Sequence, residues 1–348
     1  MITITNDKID ILSLSLGQLE NEITTLGEKK FRAKQVFEWL HLKRITTFEE
    51  MTNLSRQFRT ILEERFCIKS LFIVKRLESN IDNTVKYLYR LSDGNYIETV
   101  LMSYNHGNSL CVSTQVGCKM GCKFCASTIA GFKRNLLPSE ILLQLYETER
   151  NSEQKVSSIV LMGIGEPLDN YDNVLRFLNL VSSKNGTNLS LRHLSLSTCG
   201  IVPKIYELAD LKLGLTLSIS LHSANNASRS EIMPINDKYD IYELIEACKY
   251  YFKVTGRRIS FEYALIDKHN DSREHSKQLQ RLLQGLPCHI NIIPVNKIKE
   301  RNYSSTRKSA AVFQNYLTSL GLNATIRRTL GSDIEAACGQ LRREQENI

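Results

Sequence analysis

The feature that most constrains this chain's fold is a serial alternation beginning near residue 110. Short β-rich runs at 110–114, 158–162, 193–197, 215–221, 260–265 and 290–294 are separated by helix-length amphipathic segments. Those segments include 139–150, 173–180, 241–252, 274–283 and 310–320, and a last strand is expected at 325–328. Parallel strands need crossovers of this length, whereas antiparallel ones join through tight turns. Six β/α units in series therefore predict a parallel sheet, either open and doubly wound or a partial barrel.

The residues before this series read differently. Phe31, Val36, Phe37 and Leu40 form a helical stripe, and Thr47 with Glu50 makes a capping-box pattern ahead of a further helix. Residues 1–69 are expected to be a small helical domain. Three β-rich runs follow at 71–77, 84–91 and 95–102, with turn residues between them, so residues 70–109 are expected to form an antiparallel extension ending in an exposed loop at 103–109. Residues 110–348 then make up the β/α body and its tail. No apolar run approaches the roughly 18 residues of a membrane span. The first residues carry Asp7, Lys8 and Asp10 without the basic start of a signal peptide, so a cytoplasmic protein without membrane contact is expected.

The 45 basic and 37 acidic residues leave a net charge of +8. Its distribution matters more than its size. Lys29, Lys30, Arg32, Lys34, Lys43 and Arg44 face only Glu38, and a second basic run covers 294–308. A third, Lys119, Lys123, Lys133 and Arg134, surrounds a cysteine cluster. One such run is an ordinary solvated face; three of them favour a nucleic-acid partner.

Four of the nine cysteines fall within fifteen residues. Cys118, Cys122 and Cys125 have the spacing C-x3-C-x2-C on one loop. Iron–sulfur clusters are held by thiolates, usually four, so three ligands leave one iron open to chelate a small molecule. The competing readings are a structural zinc site, which wants four closed ligands, and a chance grouping of packing thiols. The loop follows the first strand of the series. It therefore sits at the carboxyl edge of the sheet, where such folds place their chemistry.

This loop, with Phe124 before its last cysteine, resembles that of the radical S-adenosylmethionine (SAM) superfamily, which implies a partial (β/α)6 barrel and a [4Fe-4S] cluster whose open iron binds SAM. The similarity goes further. Cys111-Val-Ser-Thr-Gln-Val-Gly-Cys118, Gly131-Phe-Lys-Arg-Asn-Leu136, Met162-Gly-Ile-Gly-Glu-Pro167, Ser220-Leu-His222, Met233-Pro-Ile-Asn236 and Ala336-Ala-Cys-Gly-Gln-Leu341 resemble the RlmN/Cfr family of RNA adenine methyltransferases.

The resemblance implies a division of labour. Cys118, Cys122 and Cys125 would hold the cluster, and Gly165, Glu166, Ser197, Ser220, Leu221, His222 and Asn296 would contact SAM. Cys338 would carry the methyl group, Cys111 would resolve the resulting protein–RNA adduct by a disulfide with Cys338, and Glu98 would accept a proton. Two SAM molecules would serve each turnover, one as methyl donor and one as radical source. An adenine C–H is neither acidic nor nucleophilic, so a thiolate methyl carrier and a radical route fit the chemistry.

The implied substrate is C2 of an adenosine in 23S rRNA near the peptidyl-transferase centre, and of an adenosine in tRNA. The implied partner is an external electron donor of the flavodoxin-reductase kind, and the chain is expected to be a monomer. The rival within the family methylates C8 of the same rRNA adenosine and gives antibiotic resistance. Outside it stand a non-catalytic zinc RNA-binding module and a radical SAM activase of another protein. Joining Cys111 to Cys338 needs Cα atoms within roughly 7 Å, so the tail after Arg328 is expected to fold back over the cluster mouth.

Overall fold

The computed structural model describes residues 8–295, 303–334 and 336. The N-terminal part comprises β1 (Ile9–Asp10), α1 (Leu16–Thr25), α2 (Phe31–His41), α3 (Arg56–Arg65) and β2 (Phe66–Cys67), with β1 and β2 paired in a short parallel ladder. Ser15 and Gln18 close a capping box on α1, and Ser55 caps α3 through the Phe58 amide, satisfying amides that a bare helix start leaves open. Ala33, Val36, Phe37 and Leu40 bury the inner face of α2.

His41 ends that face and joins this part to the body. Its Nδ1 lies 3.1 Å from the Tyr146 hydroxyl, while Nε2 is buried without a partner among the described residues. Burial pushes its pKa down to about 3. The unfolded chain takes up a proton near pH 6.5 and the folded one does not, so this stability is present above that pH and is lost as pH falls towards the folded value. From pH 7.5 to 5.0 the loss from His41 is about 2 kcal/mol. Urea titrations of the wild type and His41→Gln at both pH values check this: the gap between the two proteins should narrow by that amount on acidification.

The chain then runs through β3 (Phe72–Glu78), β4 (Val85–Arg90), β5 (Tyr96–Tyr104) and β6 (Gly107–Cys111), all successively antiparallel. The expected exposed loop at 103–109 is instead a tight hairpin: Tyr104 pairs directly with Gly107, and only Asn105 and His106 turn the chain. β6 in turn pairs in parallel with the next body strand, so the antiparallel strands and the β/α body form one ten-stranded sheet. The 109/110 division therefore falls inside a strand. The polar composition of Ser-Tyr-Asn-His-Gly-Asn-Ser concealed a ladder whose side chains are only partly covered.

Beyond β6 come β7 (Gln115–Gly117), β8 (Phe132–Asn135), α4 (Pro138–Ser152), β9 (Val156–Leu161), α5 (Tyr171–Val181), β10 (Leu194–Thr198), α6 (Val202–Asp210) and β11 (Thr216–Ser220). The remainder is α7 (Asn226–Ile232), α8 (Ile241–Thr255), β12 (Ile259–Leu265), α9 (Arg273–Leu282), β13 (Cys288–Pro294), α10 (Arg307–Ser319) and β14 (Ala324–Ile326). The parallel strands stand in the order β6-β9-β10-β11-β12-β13-β14. A sequential order with right-handed crossovers keeps every helix on one face. A doubly wound sheet reverses its order midway, so the partial barrel is the architecture found.

Register explains what fills each face. Ser197, Ser218, Ser260, Glu262 and Asn291 share one face of β10 to β13, and Leu196, Leu217, Ile219, Phe261 and Ile292 the other. The apolar set packs with Ile205, Leu244, Tyr251 and Phe313 in the main core. The polar set lines the inside of the barrel, so these strands alternate where a doubly covered parallel sheet would be apolar throughout. Among the described residues no helix is long and apolar enough to cross a membrane.

Candidate active site

The loop between β7 and β8 carries the three spaced cysteines, and backbone bonds shape it. The Cys125 amide donates to the Cys122 carbonyl at 3.2 Å, and Thr128 Oγ1 donates to the Cys125 carbonyl at 2.9 Å. The Lys123 amide donates to the Ile232 carbonyl at 2.9 Å, fastening the loop to the end of α7. Cys118 and Cys122 are buried and Cys125 half-buried. Burial raises the Cys118 thiol to about 12 and pushes Cys122 up as well.

All three cysteines line one cavity with Phe124, Met162, Gly165, Glu166, Ser197, Cys199, Ser220, His222 and Met233. Thus the carboxyl ends of β9, β10 and β11 and the donor loop converge, as expected for chemistry at this edge of a barrel. Among the described residues no group of three or more Cys, His, Asp or Glu side chains is arranged to hold a single metal ion. A cubane takes one thiolate at each of three separate corners, so the donor set remains compatible with a [4Fe-4S] cluster.

Gly165 and Glu166 follow β9. Gly165 has φ +113°, and a Cβ there would lie 2.6 Å from the Gln115 Cβ, so the glycine lets the turn close onto β7. Glu166 is buried and fully engaged: its carboxylate accepts from the Leu168 amide at 3.0 Å and the Cys199 amide at 2.8 Å. Burial raises its pKa, and those two amides oppose the rise. Gln115 Oε1 accepts from the Glu166 amide at 2.8 Å, while its Nε2 donates to Asn135 and Asp169.

Ser197 and Ser220 face the cavity, whereas Leu221 is buried and offers only its backbone, its amide donating to the Glu262 carbonyl at 3.1 Å. The His222 imidazole is occupied: Nδ1 accepts from the Ala264 amide at 2.8 Å, which leaves the proton on Nε2. Burial, aided by the Arg229 charge, lowers its pKa to about 3, so the ring is neutral at physiological pH. Phe124 meets it edge-on with centroids 4.8 Å apart.

Cys111 ends β6 and is buried with Val100, Met102, Met162, Leu330 and Ala336. Met162 also lines the cysteine cavity, so the two regions share a wall. Glu98 is on the same face two residues from Val100, the pairing partner of Cys111. It is not a surface residue: it is buried and pairs with buried Lys86 at 3.1 Å. Asn296 and Cys338 lie outside the described residues.

The tail does cross to this side. A second cavity is lined by Cys111, Val100, Met102, Arg327, Arg328, Leu330 and Ala336. Its anchor is the β3–β4 turn, where Ser79 Oγ and the Asn80 amide donate to Asp333 at 2.6 and 2.9 Å, and the Gly331 amide donates to Asp82 at 2.9 Å. Removing this anchor with Asp333→Ala should lower kcat several-fold while leaving iron content unchanged. Single-turnover assays on the reconstituted protein check that outcome.

Sequence reading missed three residues here. Cys199 walls the cavity, Gln115 bridges the strand ends, and Arg229 donates to the Cys199 carbonyl. Gln115 lies within the Cys111–Cys118 motif and Arg229 between two others, so proximity to motifs was the only available signal.

A partial barrel with a three-cysteine loop after its first strand defines a radical SAM enzyme, and residues 112–279 match the radical SAM superfamily. Residues 9–68 match the ribosomal RNA large subunit methyltransferase N-terminal domain. A relative from Lachnoclostridium phytofermentans, named "Probable dual-specificity RNA methyltransferase RlmN", is 52% identical over 97% of this chain and 95% of its own length. Its namesake in Staphylococcus aureus is 48% identical over 98% and 95%. The crystal structure of a radical SAM methyltransferase from Sphaerobacter thermophilus superposes with a TM-score of 0.90 at 38% identity, covering 95% of this chain and 98% of that one. The chain belongs to the RlmN family of radical SAM RNA methyltransferases. It is an enzyme that works with a [4Fe-4S] cluster and SAM, which supersedes the zinc-module reading.

Proposed function

We propose that this chain methylates C2 of an adenosine in 23S rRNA and of an adenosine in tRNA, with Cys338 as methyl carrier and Cys111 as resolving thiol. The observation that carries the reading is the packing of Leu330 and Ala336 on Cys111, beside the cysteine cavity. Ala336 is two residues from Cys338 in sequence. The names of the relatives support two classes of RNA substrate, and the N-terminal match supports large-subunit rRNA as one of them.

In this reading Cys118, Cys122 and Cys125 hold the cluster, and Gly165, Glu166, Ser197, Ser220, Leu221, His222 and Asn296 hold SAM. Bound together, cluster and SAM supply a methyl group and a hydrogen-abstracting radical. Cys338 accepts the methyl on sulfur as a thioether and presents its carbon to the adenine. Once a hydrogen has been removed from that methyl and its carbon has bonded to C2, the C2 proton leaves to Glu98, held by Lys86, and one electron returns to the oxidised cluster. The Cys111 thiolate then attacks the Cys338 sulfur, the new disulfide displaces the sulfur–carbon bond, and the freed carbon takes up a proton to become the methyl group. His222 contributes no acid–base chemistry, since its Nδ1 is committed to the Ala264 amide. Residues 1–69 and their basic run contact the RNA backbone, and a flavodoxin-type reductase supplies electrons to a monomeric cytoplasmic enzyme.

The test is methylation of rRNA fragments and tRNA under reducing anaerobic conditions, with nucleosides identified by mass spectrometry. 2-Methyladenosine in both is expected; 8-methyladenosine would overturn the choice of carbon, and modification of one RNA class alone would overturn the dual substrate.

A further inference from the structure

One buried side chain in α7 ties together parts of the site that come from different strands. Arg229 is fully buried. Its Nη2 donates to the carbonyls of Cys199 at 2.7 Å and Ser220 at 3.2 Å, and its Nε to that of Leu221 at 3.1 Å. Its Nη1 donates to Asn236 Oδ1 at 2.9 Å. One guanidinium therefore holds the ends of β10 and β11, whose last residues wall the cysteine cavity.

The same short helix grips the donor loop at its other end. Ile232 accepts from the Lys123 amide, and Ile232 and Met233 pack with Cys122 and Cys199. Among the described residues no carboxylate pairs with Arg229; its acceptors are three carbonyls and one amide. A buried cation without a counter-ion is costly. Burial lowers its pKa to about 10, with the Cys199 and Cys122 thiols acting against that fall, so it remains charged at neutral pH.

We propose that Arg229 is the positioning residue of this site and the buried counter-charge of its metal cluster. Its planar fork aligns the strand ends that face SAM, and its charge favours the reduced cluster. This rests on the reading that Cys118, Cys122 and Cys125 hold the cluster. Reduction adds negative charge to the cluster, and a fixed cation in a low-dielectric surrounding stabilises that state more than the oxidised one. A lysine keeps the charge but cannot reproduce the fork, so the two roles separate.

The experiment is an anaerobic redox titration of the reconstituted full chain, followed by electron paramagnetic resonance, together with iron and sulfide content and SAM binding. Arg229→Gln should keep the cluster and shift its midpoint potential to more negative values. Arg229→Lys should keep the midpoint near that of the wild type and lose SAM affinity. Asn236→Asp offers the same acceptor to Arg229 with a negative charge added, at the expense of the amide's bonds to Asn226 and Ser230. It should reproduce the negative shift with the arginine in place, and it decides the matter if Arg229→Gln fails to fold. An unchanged midpoint in the cluster-loaded Asn236→Asp or Arg229→Gln protein overturns the counter-charge role. Unchanged SAM affinity in Arg229→Lys overturns the positioning role. A wild-type chain that takes up no iron and sulfide would overturn the cluster reading itself.

Discussion

Cys111→Ala protein, purified from cells, should carry RNA that survives denaturation. If Cys338 is the methyl carrier and Cys111 the resolving thiol, the variant still loads its methyl group and still adds to the adenine. The bond between Cys338 and the base then persists. The accompanying effect is loss of multiple turnover, while cluster content stays at the wild-type level. Nuclease digestion followed by mass spectrometry should leave a nucleotide on the peptide bearing Cys338. Normal turnover by Cys111→Ala, or failure to trap RNA, would return Cys111 to a packing role among Val100, Met102 and Ala336. Cys338→Ala should be equally inactive yet emerge free of RNA, because nothing is loaded that could form the bond.

The second large effect concerns a backbone contact. Gly117 immediately precedes the first loop cysteine and has φ +80°, where an L side chain is strained. A Cβ at this position would lie 1.7 Å from the Gly131 carbonyl oxygen and 2.8 Å from its carbon. The obstruction is main chain, so no rotamer relieves it. Gly117 pairs with Phe132 where β7 and β8 meet at a bulge, and that pairing closes the base of the loop carrying Cys118, Cys122 and Cys125. Gly117→Ala should therefore open the loop and abolish iron and sulfide incorporation. The β/α core should still fold, since Leu196, Leu217, Ile219 and Phe261 pack elsewhere. Iron analysis and visible absorption after anaerobic reconstitution check the first point, and far-ultraviolet circular dichroism the second. A brown, iron-replete Gly117→Ala protein would sink the argument.

Both predictions join a motif legible in the sequence to a contact that is not. The order of strands and helices, the donor spacing of Cys118, Cys122 and Cys125, and the glycine at 165 are local features. They follow from side-chain periodicity, thiol chemistry and backbone sterics within a few residues. Pairing across long separations is different, because periodicity along one segment carries no information about its neighbour. Thus 103–109 read as a loop, although Tyr104 and Gly107 form a hairpin rung within the ten-stranded sheet. Alternation alone left an open sheet and a partial barrel equally possible, and the sequential strand order decided between them. The sequence could not say whether Glu98 is buried; its pairing with buried Lys86 and its place beside the Cys111 face come from the sheet. That His222 has a hydrogen-bond partner fits a lone buried histidine, but only the tertiary structure shows that the partner is the Ala264 amide on its Nδ1. Arg229, with no motif of its own, is a hub only because α7 lies against two strand ends and the donor loop. The sequence determined which groups could do chemistry; tertiary packing decided which of them are buried, which are already hydrogen-bonded, and which meet, since each depends on residues far away in the chain.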